Sequence, residues 1–346
     1  MATPKIIEIL APLGATVHKL SLRGLLPPPP PTWPLPGDLP ICPHGSHELC
    51  SSLAVGDASL TQEWPAVREL SLISGIVIMG DLVKAFPNAS TVLLSPFMLQ
   101  NVPLGDMYMQ FWDHLQYVRG SFESLLCWDF HRPVHRLDMD ARDLFLRNTK
   151  FMIPSVLAQS SPVVLALCVE QLFPVVSFSS RTAFWEAAFQ PGSLKRLRVL
   201  QLCIVSTTTE AGQWLEMVCA LLANVKTLQV LALYFGLKKP TAGQSVPPGA
   251  TPLADFIERG PGFHLPEAFK VERLASGIRS LQLVSLSYGD VQIDDKELWS
   301  FHVKGETKYW CGLQDGLHAA KTEEEGQNLA SALYSSGDDP VMFTFL

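Results

Sequence analysis

Along this chain, apolar side chains recur at an offset of three residues and then two, apolar-x-x-apolar-x-apolar. This spacing constrains the fold more than any other feature. An offset of two puts two side chains on one face of a strand, because successive Cβ atoms alternate across it. An offset of three fits no strand, so the first apolar residue belongs to the turn that leads in and tucks under the same core. A helix would need threes and fours throughout.

The pattern occurs at Val17/Leu20/Leu22, Val67/Leu70/Leu72, Ala89/Val92/Leu94, Phe122/Leu125/Cys127, Val134/Leu137/Met139, Pro162/Leu165/Leu167, Leu197/Leu200/Leu202, Leu228/Leu231/Leu233 and Leu281/Val284/Leu286. Successive starts differ by 50, 22, 33, 12, 28, 35, 31 and 53 residues. Five of these gaps hold one strand, one helix and two turns; a gap of 12 holds no helix, and those of 50 and 53 contain insertions. The spacing is that of a leucine-rich repeat. Such a unit cannot bury its apolar face alone and needs a like neighbour on each side.

The intervening segments agree. Thr207-Thr-Thr-Glu210 reads as a capping box, a hydroxyl followed three residues later by Glu. After it, Trp214, Leu215, Val218, Leu221, Leu222 and Val225 keep helical spacing and predict a one-sided helix. Shorter helices are expected at Asp81 to Phe86, Ala141 to Arg147, Thr182 to Phe189 and Glu267 to Ser276. Proline breaks the chain at Trp64-Pro65, Phe86-Pro87 and Gln190-Pro191, since it cannot continue a helix and favours an extended predecessor. The predicted unit is strand, loop, helix, proline turn, strand.

Composition sets the remaining bounds. Of 346 residues 47% are hydrophobic and 17% charged, which supplies a core and argues against disorder. Net charge is -7 with no dense block of Lys or Arg, which argues against nucleic acid or an anionic membrane as the main partner. Seven scattered cysteines, among them Cys127, Cys168, Cys203 and Cys219 in apolar segments, suit a reducing compartment. The N-terminal apolar run, broken by Glu8 and Pro12, makes a poor signal peptide. Phe151 to Phe178 is interrupted by Pro154, Gln159, Pro162, Glu170, Gln171 and Pro174, so no membrane span is expected. The expected location is cytoplasmic or nuclear.

One domain over 1–346 is expected, with a Pro-rich insertion loop at 23–66, a Gly/Pro-rich insertion loop at 236–264 and a C-terminal capping segment at 287–346. The five consecutive prolines after Leu26 force polyproline II, read here as a stiff exposed loop. Cys42, His44, His47 and Cys50 supply zinc-ligand types within nine residues, but no folded span separates two ligand pairs, so no metal is expected. His131 and His135 are four apart with Pro133 between them, which rules out a shared helical face. Asn88-Ala-Ser90 is a glycosylation sequon by letter, expected to stay unmodified. Glu323-Glu-Glu325 reads as a solvated face. Trp112, Trp185 and Trp214 fall at apolar-periodic positions and read as core. The sequence has no Gly-rich phosphate loop, no G-x-S-x-G and no H-E-x-x-H.

Trp64-Pro-Ala-Val-Arg-Glu-Leu-Ser-Leu72, Phe86-Pro-Asn-Ala-Ser-Thr-Val-Leu-Leu94, Leu194-Lys-Arg-Leu-Arg-Val-Leu-Gln-Leu202 and Ser280-Leu-Gln-Leu-Val-Ser-Leu-Ser-Tyr288, with the later Glu297-Leu-Trp-Ser-Phe301, resemble the irregular leucine-rich repeats of fungal F-box proteins. The resemblance covers roughly residues 60 to 300 and rests on pattern rather than a fingerprint. It implies repeats that capture a protein substrate, and an F-box module that docks on a ubiquitin-ligase adaptor. No F-box is visible: the first pattern begins at Val17, which leaves no room for a module of that kind.

The expected fold is an α/β leucine-rich-repeat solenoid, curved, with short parallel strands on the concave face and helices on the convex face. The strand positions beside the core pairs would form the binding array: Glu69, Ser71, Arg136, Asp138, Gln201, Tyr234, Ser285 and Ser287. Leu93, Val164, Ala166, Val199 and Val230 on the same face imply a sticky interface or cover by an insertion such as residues 23 to 66. The expected function is non-catalytic protein recognition, as an F-box-family substrate receptor or its F-box-less relic. No cofactor, catalytic residue, nucleic acid or membrane enters it. A ubiquitin-ligase adaptor is an expected partner only where an F-box is missing from the sequence. The alternative from another class is an enzyme on an α/β fold whose site is assembled from distant residues.

Overall fold

The structure is a computed structural model. It describes residues 16–25, 63–100, 112–126, 128, 130, 132–141, 153–171, 185–190, 194–206, 218, 220–237, 278–294, 300–313, 316–319 and 322–335. The chain divides into two compact units, Met1–Arg132 and Pro133–Leu346.

The first unit carries four parallel strands paired in chain order: β1 (Lys19–Leu25), β2 (Glu69–Ile78), β3 (Thr91–Gln100) and β4 (Tyr117–Ser121). The second carries five more, again parallel and in order: β5 (Arg136–Asp140), β6 (Val164–Gln171), β7 (Val199–Ser206), β8 (Val230–Leu237) and β9 (Leu283–Asp294). Two antiparallel strands follow, β10 (Ser300–Leu313) on β9 and β11 (Gly316–Ala319) on β10. The fold is thus mixed α/β with a mostly parallel sheet.

The pairing register is that of the sequence pattern. Leu20, Leu70, Val92 and Val118 lie opposite one another in the first unit, and Leu22, Leu72 and Leu94 form the next row. In the second unit the rows are Leu137, Leu165, Leu200, Leu231 and Val284, then Met139, Leu167, Leu202, Leu233 and Leu286. Leu70, Val92, Val118, Leu137, Leu165, Leu200, Leu231 and Val284 are all fully buried. Each such side chain contributes roughly 1.5–3 kcal/mol by leaving water. A slip of one residue would turn every row outward, so the apolar pair fixes the register.

One turn repeats before β2, β3, β7, β8 and β9. The N–H of Val67, Ala89, Leu197, Leu228 and Leu281 donates to the carbonyl three residues back, that of Trp64, Phe86, Leu194, Val225 and Ile278, at 3.0–3.2 Å. All ten of these residues are buried. The pattern therefore has a fourth apolar place, three residues before the first. One carbonyl per step then receives two N–H groups of the next. His18, Arg68 and Ser90 do this in the first unit and His135, Val163, Arg198 and Gln229 in the second, at 2.7–3.1 Å.

Helices α1 (Met79–Ala85), α2 (Phe122–Leu126) and α3 (Ile153–Ser160) connect strands. Leu82, Val83, Ala85 and Phe86 are buried at the end of α1, and Pro87 halts it. In α3, Ile153, Val156, Leu157 and Ser160 line the buried face at 3/4 spacing, with Pro154 in the first turn. That helix ends at Ser161, whose φ of 36° is left-handed. Residues 185–188, 218 and 220–222 are helical where helices are expected. The expected capping box at 207–210 and the expected helices at 141–147 and 267–276 lie outside the described residues, apart from Ala141. So do most of the two insertion loops.

One expected repeat is corrected. The pattern Phe122/Leu125/Cys127 predicts a strand at Leu125 and Cys127 with Phe122 on the turn before it, but Phe122–Leu126 is α2. The strand of that step is β4, led in by Leu115, with Val118 and Gly120 at the core places. Glycine stands where the pattern has an apolar side chain, and Leu94 and Leu125 pack beside it: a Cβ there would touch them at the ordinary contact distance of 3.4–3.5 Å. The 12-residue gap disappears with it, since Leu115 lies 19 residues before Val134.

The capping segment expected at 287–346 is described as the antiparallel β9–β10–β11 ladder and helix α4 (Glu323–Ser335). Gly312 N–H donates to Gln282 O at 2.5 Å, taking the place that the next repeat's N–H would hold. At the start of α4, Thr322 Oγ1 accepts the N–H of Glu325 at 3.1 Å. Gly326 is buried on Tyr309, and a Cβ at 326 would collide with that ring.

Candidate interaction surfaces

Two sets of side chains are available outside the core rows: the strand positions between the core pairs, and the turns that lead into each strand. The strand positions carry the candidate array. In the first unit Glu69 is half-buried and ion-paired with Lys19 at 2.5 Å, and Ser71 is buried. In the second unit Arg136, Asp138, Gln201, Ser285 and Ser287 are buried and Tyr234 is half-buried.

Register orders the second unit's residues into three rows. The first runs Arg136, Val164, Val199, Val230, Leu283 and Cys311. The second runs Asp138, Ala166, Gln201, Ala232, Ser285 and Tyr309, and the third Asp140, Cys168, Cys203, Tyr234, Ser287 and Thr307. Val164, Val199, Val230 and Leu283 form one apolar cluster, with Val163, Tyr309 and Cys311 packed against it. Six of the eight candidate residues are thus withdrawn from water, because both faces of these parallel strands are apolar enough to be buried.

Arg136 and Asp138 meet in the buried rows. Arg136 Nε donates to Asp138 Oδ1 at 2.8 Å and Nη2 to Oδ2 at 3.1 Å, a two-pronged pair with side-chain exposures of 2% and 0%. Their i, i+2 spacing puts them on the same strand face. A buried pair of this kind holds geometry and is closed to a ligand from solvent. Ser287 Oγ and Thr307 Oγ1 lie 2.9 Å apart and tie β9 to β10. Partial burial, with the Glu325 carboxylate nearby, pushes the Cys311 thiol up from its ordinary value, which disfavours the thiolate.

The turns are different. Lys195, Arg196, Arg198, Lys226 and Arg279 are exposed and sit on the three turns before β7, β8 and β9. In sequence they are scattered over 85 positions, so no basic block is visible; the fold gathers them. The signal that would have found them is the place they share in the nine-residue unit typified by Leu194 to Leu202.

Among the described residues no group of three or more His, Cys, Asp or Glu is placed to hold a metal ion, and no helix is long and apolar enough to cross a membrane. The Cys42/His44/His47/Cys50 cluster lies outside the described residues. Asn88 Nδ2 donates to Pro65 O at 2.9 Å, so the sequon asparagine serves a turn. Trp112 and Trp185 are buried, and Trp112 Nε1 donates to Phe86 O at 2.6 Å.

These observations define the class: a mixed α/β protein whose mostly parallel strands follow one another in chain order, with one turn repeated. Comparison with known proteins finds no matching family model, no similar curated protein and no similar solved structure.

Proposed function

We propose that this chain is a leucine-rich-repeat solenoid whose function is non-catalytic recognition of another protein, in the manner of an F-box-family substrate receptor or its F-box-less relic. The observation that carries the reading is the recurrence of one turn before β2, β3, β7, β8 and β9 and of one doubly accepting carbonyl from strand to strand, with the apolar pair in register. Repeats of this kind present stacked rows of equivalent side chains at the inter-strand spacing, a surface suited to an extended partner.

The rival reading, an enzyme on an α/β fold, draws on the burial of both strand faces. It requires titratable groups converging in a cleft. The one strongly buried charged pair described, Arg136 with Asp138, is joined by two hydrogen bonds and sealed from solvent.

The test is affinity purification of the tagged chain from its own cells, followed by reconstitution of any captured protein with the purified chain. A direct complex of defined stoichiometry is expected. Co-purification of a ubiquitin-ligase adaptor supports the receptor form of the reading; another direct partner without the adaptor supports a stand-alone recognition protein. Absence of any protein that rebinds the purified chain contradicts the reading.

A further inference from the structure

We infer that the stacked turns before β7, β8 and β9 form a cationic ridge that binds an acidic polypeptide segment. The inference rests on the recognition reading above and names the surface and the chemistry of the partner.

The three turns are alike. Each opens and closes on buried apolar residues, Leu194 and Leu197, Val225 and Leu228, Ile278 and Leu281, joined by the same backbone bond at 3.0–3.2 Å. With both ends anchored, the second place is left facing water. Lys195, Lys226 and Arg279 occupy that place, and all are exposed. Neighbouring turns are stitched together: Thr227 Oγ1 donates to Leu197 O at 2.6 Å, and Ser280 Oγ contacts Lys226 O and Leu228 O at 2.7 and 2.8 Å. The three cations are therefore stacked at about the inter-strand spacing of 4.8 Å. Exposed Arg196 and Arg198 flank the first of them.

The segments 194–199, 225–230 and 278–283 contain five cations and no carboxylate, in a chain of net charge -7. Among the described residues no carboxylate is ion-paired with Lys195, Arg196, Arg198 or Arg279. Like charges held this close repel, and an anion laid along the ridge relieves that repulsion. Arginine forks take carboxylates in two-pronged fashion.

The ridge spans only about two inter-strand spacings, roughly 10 Å. Alternate residues of an extended peptide fall about 7 Å apart, so two or three carboxylates fit it. Nucleic acid fits less well. The three segments carry no aromatic side chain on which a base would stack, and the net negative charge opposes a long polyanion.

The test uses the full chain and fluorescein-labelled octaglutamate, read by anisotropy at low salt, with octaglutamine and a thymidylate octamer as comparators. Octaglutamate is expected to bind, and raising salt from about 0.05 to 0.5 M to weaken it tenfold or more. Combined Lys195→Glu, Arg198→Glu and Arg279→Glu substitutions are expected to abolish binding. Combined Lys19→Glu, Lys84→Glu and Arg132→Glu, with the same change in net charge, should leave it within about twofold, since none of the three belongs to the ridge turns and a change in overall charge alone is largely screened. Lys195→Gln, Arg198→Gln and Arg279→Gln serve if the reversal variant does not fold; they are expected to weaken binding about tenfold.

Equal loss in both triple reversals, binding unchanged by neutralisation, no binding at low salt, or tighter binding of the thymidylate would each overturn the ridge. A rebinding partner whose affinity survives the ridge substitutions would sink the ridge and leave protein recognition standing. Octaglutamate binding with no rebinding partner would do the reverse.

Discussion

The two units build the same turn and finish it with different chemistry. In the first unit, side chains close the turn on itself. Arg68 Nη1 donates to Pro65 O and Asn88 O at 3.0 and 3.2 Å, and Arg132 pairs with Asp113 at 3.3 Å. The second places of its turns are Pro65, Pro87 and Asp113. In the second unit the Thr227 and Ser280 hydroxyls bond the turn carbonyls, as Ser90 Oγ also does to Arg68 O at 3.3 Å in the first. That leaves the side chains of Lys195, Arg196, Arg198 and Arg279 without structural duty among the described residues. The lesson is that the backbone repeat sets positions only. Whether a cation is consumed inside the turn or offered to a partner depends on which neighbour satisfies the carbonyls.

The strand faces differ in the same way. On the first unit's strands Lys19 pairs with Glu69 at side-chain exposures of 69% and 32%, whereas Arg136 and Asp138 in the second are sealed. Asp138→Ala is therefore expected to cost about 3–5 kcal/mol, because it leaves a buried guanidinium without its carboxylate. Lys19→Ala should cost no more than about 1 kcal/mol. Chemical denaturation followed by hydrogen exchange of peptides from each unit checks both. Protection lost first in the first unit of Asp138→Ala would break the comparison.

A smaller effect is expected at the second unit's cap. Gly326→Ala puts a methyl group into the Tyr309 ring and should cost about 1–3 kcal/mol, as overpacking does. Exchange protection of 323–335 should fall, with the parallel strands unaffected. In the turns, Arg68→Ala should cost about 1 kcal/mol for its lost bonds to two carbonyls. Arg198→Ala should lie within about 0.5 kcal/mol of zero, as for an exposed side chain with no such bonds. Equal costs at the two arginines would erase the distinction between the units. One change is expected to be a gain: Ser161→Gly relieves a left-handed φ at the end of α3 and should stabilise the second unit by about 1 kcal/mol in thermal unfolding.

Much of the strand ladder was legible in sequence. The offset of three then two placed Leu70 with Leu72, Leu200 with Leu202 and Leu231 with Leu233 in the rows they occupy. Step β4 was misread because Gly120 has no apolar side chain and Phe122/Leu125 copies the spacing by chance. The fourth apolar place, held by Trp64, Phe86, Leu194, Val225 and Ile278, went unread because it only shows itself once the turn bond is seen. Strand alternation put Glu69, Arg136 and Gln201 beside the core pairs. It did not tell which of them would be buried, since that depends on what packs over them. The cationic ridge was invisible for the opposite reason: its members are far apart in sequence and become neighbours only through strand pairing.

The claim that the chain is a ladder of interchangeable steps is tested most directly by removing one. Leu197 and Leu228 hold the same place in the same turn, 31 residues apart. Deleting 198–228 joins Leu197 to Gln229 and should leave β6 pairing with β8. A ladder of interchangeable steps predicts a soluble, cooperatively melting protein with its near-ultraviolet circular dichroism retained and a lowered Tm. An insoluble or non-cooperative product that has lost that signal would contradict it, and would point to a sheet in which each strand has a place of its own.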